Sequence, residues 1–403
     1  MIKNSKHIEI STQIRIISSI KTDSLEEGIM KHVICPVCGD ICVRNGKNKS
    51  GSQRWLCKSC DLTFTQKIES SSWQLKMFLD WLFGKGTQKE MPGEGRSFRR
   101  KTSQFWNLWP LPPKIDEKRD VLYVDGIYLG RKACILICCD DEHVLGWYLC
   151  KYEHSGAWKA LMSRIASPSV VVSDGGSGFA KALKKVWPDT KHQRCIFHVF
   201  SQIKRYTTTR PNTPAGVELY MLAKDLFAIK SEDNAENWVD RFIAWTKKYN
   251  RFLSQMTYDE DGNGRPTHER LLKAQKSIMR LLREGTLFTY LDENLLKELE
   301  KIPSTNNRIE GGVNAGLREM LRNHRGLSIE RRIKAVFWWC YMHSPEPLPA
   351  SEILKVMPTD KSIADIYARM NRREKLEKSL SCWGDAVVWE ELHRSTKYPF
   401  YWD

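Results

Sequence analysis

The chain is short of acidic charge. Its 64 Lys and Arg residues outnumber 48 Asp and Glu residues, leaving a formal net charge of +16. It also lacks any apolar stretch that reaches membrane-spanning length without charges, so no spanning helix is expected. Residues 1–30 are polar and rich in Ser and Lys, without the apolar centre of a secretory leader. A soluble, cytoplasmic and nucleoid-associated location is therefore expected. No internal repeat and no low-complexity tract is present, which excludes solenoid and fibrous architectures. Cysteine is not scarce: there are 12. In a reducing compartment they do not form a disulfide framework. Hydrophobic residues make up 41% of 403, enough for a real core and for two or three domains. Basic charge spread along the whole chain favours a polyanionic partner, with nucleic acid favoured over a membrane surface.

Four cysteines have metal spacing. Cys35 and Cys38 form one Cys-x-x-Cys pair and Cys57 and Cys60 a second. Two such knuckles at this separation fit a zinc ribbon over 31–66, holding one structural Zn²⁺ with all four positions filled by thiolates. Lys47, Lys49, Arg54 and Lys58 surround the module and are candidate phosphate contacts. The other eight cysteines, Cys42 and Cys195 among them, are read as buried thiols. Residues 67–113 have the pattern of a small helix-turn-helix. Trp73–Phe83 is an amphipathic helix, Gln88–Met91 could start a second, and Ser97–Trp109 could be a recognition helix bearing Arg99, Arg100 and Lys101. A plain helical linker is the simpler alternative. Pro110 to Pro113 closes the region.

From 114 to 209 the pattern changes. Val121–Leu129, Lys132–Cys139 and Val144–Tyr152 are β-rich apolar runs separated by charged turns, Asp140-Asp141-Glu142 being one. Then come a helix at Ser155–Ile165, a strand at Val170–Ser173, a helix at Gly178–Val186 and a further strand at Gln193–Phe197. That order is the one expected of an RNase H-like α/β core. Residues 210–302 repeat apolar positions at helical spacing and read as an all-helical insertion. Residues 303–345 return as core helix, and 346–403 form a helical tail that includes Asp365–Leu380.

Three carboxylates stand out by setting. Asp125 interrupts an apolar strand, Asp174 ends another ahead of Gly175 and Gly176, and Glu310 precedes a basic helical segment. A carboxylate inside a strand loses hydration and needs a partner. Several converging on one point suit hard divalent cations and phosphoryl transfer. Arg308, Arg318 and Arg322 flank Glu310 as candidate phosphate contacts or as a solvated helix face.

Asp125-Gly126, Ser173-Asp174-Gly175-Gly176, Cys195-Ile-Phe-His198 and Ser304-Thr-Asn-Asn-Arg-Ile-Glu310 together resemble the motifs of mutator-type bacterial insertion-sequence transposases, over roughly 120–345. The resemblance implies an RNase H-like core with a helical insertion ahead of the glutamate. It implies a D-D-E triad of Asp125, Asp174 and Glu310 holding two Mg²⁺ or Mn²⁺ ions. It implies terminal inverted repeats and target DNA as partners, and gives Cys195 and His198 a structural role beside the triad. Trp238 matches a tryptophan of related insertions that could stack on an unpaired base, although core packing is the favoured use, since it lies on the apolar face of its helix. Joining two transposon ends implies a homodimer or larger assembly on DNA. The other functional classes are a transposase-derived transcriptional regulator and a structure-selective nuclease of the same fold. A lost acidic residue would mark the regulator, and all three are present.

Overall fold

The computed structural model describes residues 33–35, 40–49, 51–65, 71–366 and 368. The arm at 1–30, Cys38 and most of the expected helix Asp365–Leu380 lie outside these residues. The chain divides into two compact units.

The first unit holds four short antiparallel strands, β1 (Val33–Ile34), β2 (Ile41–Lys47), β3 (Gln53–Cys57) and β4 (Thr63–Thr65), in the order β1-β2-β3-β4. The β2–β3 turn closes on Asn48, whose side chain accepts from the Ser52 N–H at 2.9 Å, and Gly51 takes the positive φ that the turn requires. Trp55 on β3 pairs across to Phe64 on β4, covering one side of a cluster made by Cys35, Cys42 and Cys57. So small a sheet has little apolar area to bury and needs a staple. Helix α1 (Ser71–Phe83) buries Leu75, Phe78 and Leu79 at helical spacing. Gln88–Met91 is not helical. Its chain turns instead, and α2 (Glu94–Thr102) begins only after Pro92 and Gly93. α2 passes at Ser103 into a 3-10 turn ending at Asn107, so the expected long helix to Trp109 is a shorter one carrying Arg99, Arg100 and Lys101 in its last turn.

The second unit is built on a five-stranded mixed sheet in the order β7-β6-β5-β8-β9. β5 (Val121–Leu129) lies at its centre. It pairs antiparallel with β6 (Ala133–Cys139), which pairs antiparallel with β7 (Val144–Cys150). On its other side β5 runs parallel to β8 (Val170–Ser173), and β8 parallel to β9 (Lys191–Arg194). Every residue of β6 and β7 is buried, which is why both read as unbroken apolar runs. Helices α3 (Ser155–Met162) and α4 (Ser177–Val186) supply Trp158, Leu161, Phe179 and Ala182 to one face, against Leu122, Val124 and Leu136. Each large side chain buried there contributes about 2 kcal/mol. The β-turn at Asp140 forms as expected, its carboxylate accepting from the Glu142 and His143 N–H groups.

The strand expected over Gln193–Phe197 stops at Arg194. The buried Gln193 side chain is tied to the Leu287 carbonyl and the Tyr290 N–H, and Ile196, Val199 and Ile203 then bury one face of helix α5 (Ile196–Thr207). Beyond it, α6 (Pro214–Asp225), α7 (Glu232–Lys248) and α8 (Glu269–Arg283) enclose their own core around Leu219, Phe242, Trp245 and Ile278. This insertion is not all helical: an antiparallel hairpin, β10 (Met256–Tyr258) with β11 (Gly264–Pro266), interrupts it. Gly262 at positive φ and the Asp259 carboxylate, which accepts from the Asp261 and Asn263 N–H groups, form its turn. A π-helical turn, Arg308–Val313, leads into α9 (Asn314–Asn323), followed by α10 (Ile329–Met342). Phe337 of α10 meets Trp147 of β7 edge-on at 6.3 Å, on the sheet face opposite α3. No helix among the described residues is long and apolar enough to cross a membrane.

Candidate active site and thiol centre

Asp125 sits in the middle of β5, so sheet hydrogen bonds fix its backbone. Its Oδ1 accepts from the Gly126 N–H at 2.9 Å and its Oδ2 from the Asn314 Nδ2 at 2.7 Å. Asn314 is the buried first residue of α9, and Asn306 donates to the Val124 carbonyl at 3.0 Å. These two amides tie the segment around Glu310 to the strand that bears Asp125. Asp174 is the first residue beyond β8, and its Oδ1 accepts from the Gly176 N–H at 2.9 Å. Gly175 is needed there: its φ is +76°, and a Cβ would lie 1.5 Å from the Arg194 guanidinium. Glu310 lies in the π-helical turn, a distortion often found where a helix must aim a side chain at a site. The Nδ1 of His198 lies 3.3 Å from Glu310 Oε1.

Asp125 and Glu310 both feel neighbouring carboxylates. Burial, and after it the charges of Asp174 and Glu310, push the Asp125 carboxyl up to about 6, against the Gly126 N–H and His198. Glu310 is raised by burial and by Asp174, with Arg318 opposing. The three carboxylates stand farther apart than 4.8 Å as a group, whereas donor atoms of Cys195, His198 and Glu310 all lie within that distance of one another. Hard anionic oxygens, partly desolvated and mutually repelling, are a donor set for divalent cations.

A fourth carboxylate belongs to this group. Glu153, between β7 and α3, is raised to about 7 by burial and then by Asp174 and Asp125. The reason it reaches them is Gly126, because a Cβ at that position would lie 2.6 Å from Glu153 Oε1. In the sequence Glu153 is one acid among many. Only the glycine beside Asp125 hinted that a side chain needed the space. Arg194 was also missed. It is 7% exposed, beside Asp174, and its Nε and Nη1 have no hydrogen-bond partner among the described residues.

Cys195 precedes α5 and accepts a bond from the Asn306 N–H at 3.2 Å, so it braces the loop leading to Glu310. His198 occupies the first turn of the same helix. Trp238 does not face DNA. It is 1% exposed, stacks on Phe242 and donates its Nε1–H to the Leu222 carbonyl at 2.7 Å, so no base can reach it without unpacking the insertion. Lys47, Lys49, Arg54, Lys58, Arg99, Arg100, Arg318 and Arg322 are exposed, whereas Lys101 and Arg308 are half-buried. Arg308 donates to the Asp141 carbonyl at 2.7 Å.

In the first unit, the sulfurs of Cys35, Cys42 and Cys57 lie within 4.8 Å of one another, and Cys60 Sγ is 3.6 Å from Cys35 Sγ. Cys42 is thus no isolated core thiol. It faces Cys57 across β2 and β3 and lines the same cluster. Converging thiols of this kind fit a tetrahedral zinc ion.

The molecule is therefore a mixed α/β protein whose central strand and flanking turns gather acidic side chains at one place. Residues 134–262 match the family model described as Transposase, Mutator family. That span includes Asp174, Cys195 and His198, while Asp125 and Glu310 lie outside it. The chain is similar to the transposase for insertion sequence element IS905 of Lactococcus lactis subsp. lactis (strain IL1403), at 24% identity over 159 residues, 35% of this chain and 40% of the relative. It is similar to a probable insertion-sequence transposase of Corynebacterium diphtheriae, at 24% over 187 residues, 40% and 52% of the two chains. It is also 28% identical over 158 residues to the transposase for insertion sequence element IS6120 of Mycolicibacterium smegmatis, 35% and 47% of the two. The chain spans about half the length of the curated relatives it matches. The matched family and the names of these relatives support a mutator-type insertion-sequence transposase.

Proposed function

We propose that this chain is a DNA transposase of an insertion sequence, with an RNase H-like core and a D-D-E site made by Asp125, Asp174 and Glu310. The observation that carries the reading is the convergence of three acids, from β5, from the end of β8 and from a π-helical turn far along the chain, into one electrostatically coupled group. The central strand flanked by an antiparallel and a parallel side supports the core assignment.

Asp125, Asp174 and Glu310 would hold two Mg²⁺ or Mn²⁺ ions, which lower the pKa of the nucleophile and absorb charge at phosphorus. The rest falls to side chains. Asn314 and the Gly126 N–H fix the two oxygens of Asp125. His198 stands against Glu310 and limits its rotamers. In the first step, water adds to phosphorus at a transposon end, the bond to the 3′ oxygen breaks, and a 3′ hydroxyl is released. That hydroxyl then attacks a target phosphodiester and displaces a target 3′ oxygen. Both are in-line displacements, so one site serves both. The thiol cluster would carry one structural zinc, with the exposed cations of 31–109 on terminal-repeat DNA and a dimer or larger assembly joining two ends. The test is cleavage of the DNA that flanks this gene, with Mg²⁺ against EDTA. Nicking confined to the element's ends and dependent on Mg²⁺ is expected; binding without any cleavage would favour a regulator.

A further inference from the structure

Helix α5 presents two faces. Ile196, Val199, Ile203 and Thr207 are buried. Phe197, Ser201, Lys204 and Arg205 follow one another at i, i+4, i+7 and i+8, a stripe along the opposite face. With His198, Thr208 and Thr209, these residues line an open cavity of about 650 Å³. The stripe is about 12 Å long at 1.5 Å per residue. That matches about three to four steps of a DNA strand at 3.4 Å each.

The two ends of the stripe differ in chemistry. At the end nearest the acids, Phe197 is 50% exposed, although phenylalanine is normally inside. Its neighbour His198 reaches Glu310. At the other end stand Lys204 and Arg205, neither of which has a carboxylate partner among the described residues. Just past the helix, Thr208 holds a positive φ of +69°. For a β-branched residue this backbone is costly and marks a position the fold holds for a reason.

We infer that this groove binds a single DNA strand leaving the scissile position, with Phe197 stacking on the first unpaired base and Lys204 and Arg205 on the phosphates beyond it. The inference rests on the phosphoryl-transfer reading for its occupant. Its geometry stands on α5 alone. An aromatic ring beside cations is the arrangement by which proteins hold unpaired nucleic acid without reading sequence. Continuity with Glu310 through His198 puts the splayed base next to the cut, and charge complementarity favours a polyanion over an apolar occupant. Trp238, the aromatic first considered for this task, is sealed in the insertion core, which leaves Phe197 to perform it.

The experiment uses the full chain in Ca²⁺, a cation that allows binding. One probe is a duplex of the gene's flanking sequence ending in a short single-stranded 3′ tail, with 2-aminopurine as the first unpaired base. A fully paired duplex of the same sequence is the control. Wild-type protein should quench the fluorescence. Phe197→Ala should lose the quench and about tenfold in affinity for the tailed DNA, with paired-duplex affinity unchanged. Phe197→Trp should restore both, which separates stacking from damage to the fold. Lys204→Gln and Arg205→Gln should each lower the slope of log affinity against log salt by about one. An unchanged quench in Phe197→Ala would overturn the inference, as would an equal loss on both DNAs. A wild type that holds the tailed DNA but never cleaves in Mg²⁺ would sink the transposase reading and leave the groove standing.

Discussion

Asp125→Asn should make the cation-free protein more stable. The wild-type carboxyl titrates at about 6 against an ordinary value of 3.8. Two units at 1.36 kcal/mol each put the cost of ionising it in the fold at about 3 kcal/mol. The sign follows from proton binding. Between those two values the folded chain holds the proton and the unfolded chain does not, so wild-type stability falls as pH rises through this window and the full cost is reached above it. An amide removes that charge. It keeps an acceptor for the Gly126 N–H, and Asn314, whose Oδ1 has no partner, can turn its amide to accept the new N–H. At most one hydrogen bond of about 1 kcal/mol is lost, for a net gain of about 2 kcal/mol. Thermal unfolding in EDTA at pH 8 should therefore show the variant melting roughly 3 °C higher. Near pH 4.5 the gap should close, because the wild-type carboxyl is then protonated. Adding Mn²⁺ at about a hundred times its dissociation constant should reverse the order, stabilising the wild type by about 2.7 kcal/mol and the variant far less. A variant that melts lower in EDTA at pH 8, or gains equally from Mn²⁺, would refute the account of a charge-loaded cation site.

Further outcomes test other parts of the molecule. Purified protein should contain one zinc per chain, and chelation or Cys57→Ser should abolish hydrogen-exchange protection in 33–65 while that of 121–342 persists; a zinc-free protein with those strands protected would contradict it. Lys334 is wholly buried between Glu330 at 3.0 Å and Asp360 at 2.7 Å, so Lys334→Met leaves two facing carboxylates and should cost about 3–5 kcal/mol in urea unfolding, a loss under about 1 kcal/mol being incompatible with the ion cluster. His192 is buried and its imidazolium is disfavoured, its pKa falling from 6.5 to about 3 through burial and then Arg194. Its stability contribution is complete above 6.5 and lost as pH falls below it, by about 2 kcal/mol at pH 5, so His192→Gln should flatten the acid limb of the stability profile.

The parts legible in the sequence are those that local pattern controls. β5, β6 and β7 show as apolar runs because β6 and β7 are covered on both faces and β5 on nearly all of its length. Asp125 stood out as the acid inside such a run, and Asp174 as the acid before a glycine turn. What escaped depends on distant partners. Gln193 is a strand residue as expected, but its side chain is bonded to the chain at 287–290, β9 ends at Arg194, and Cys195 then caps the helix that carries His198. Glu153 joins the acids only because β5 supplies a glycine opposite it. Cys42 has no partner at metal spacing in sequence, yet strand pairing brings it to Cys57. Trp238 is ambiguous on paper, since an aromatic on a helix is core or platform according to which face the neighbours cover, and Phe197 sits at the end of the strand expected over Gln193–Phe197. The hairpin at 256–266 hid inside a helical region because its signal is a short turn around Gly262.

The central claim is that Asp125, Asp174 and Glu310 together cut DNA. Cleavage of end-containing DNA in Mg²⁺ should be measured for Asp125→Asn, Asp174→Asn and Glu310→Gln beside wild type, with DNA binding followed in parallel. The account predicts that each variant binds as wild type does and cleaves nothing, since a neutral amide cannot hold and balance the cations. Normal cleavage by any one of the three would remove that residue from the site and contradict the claim.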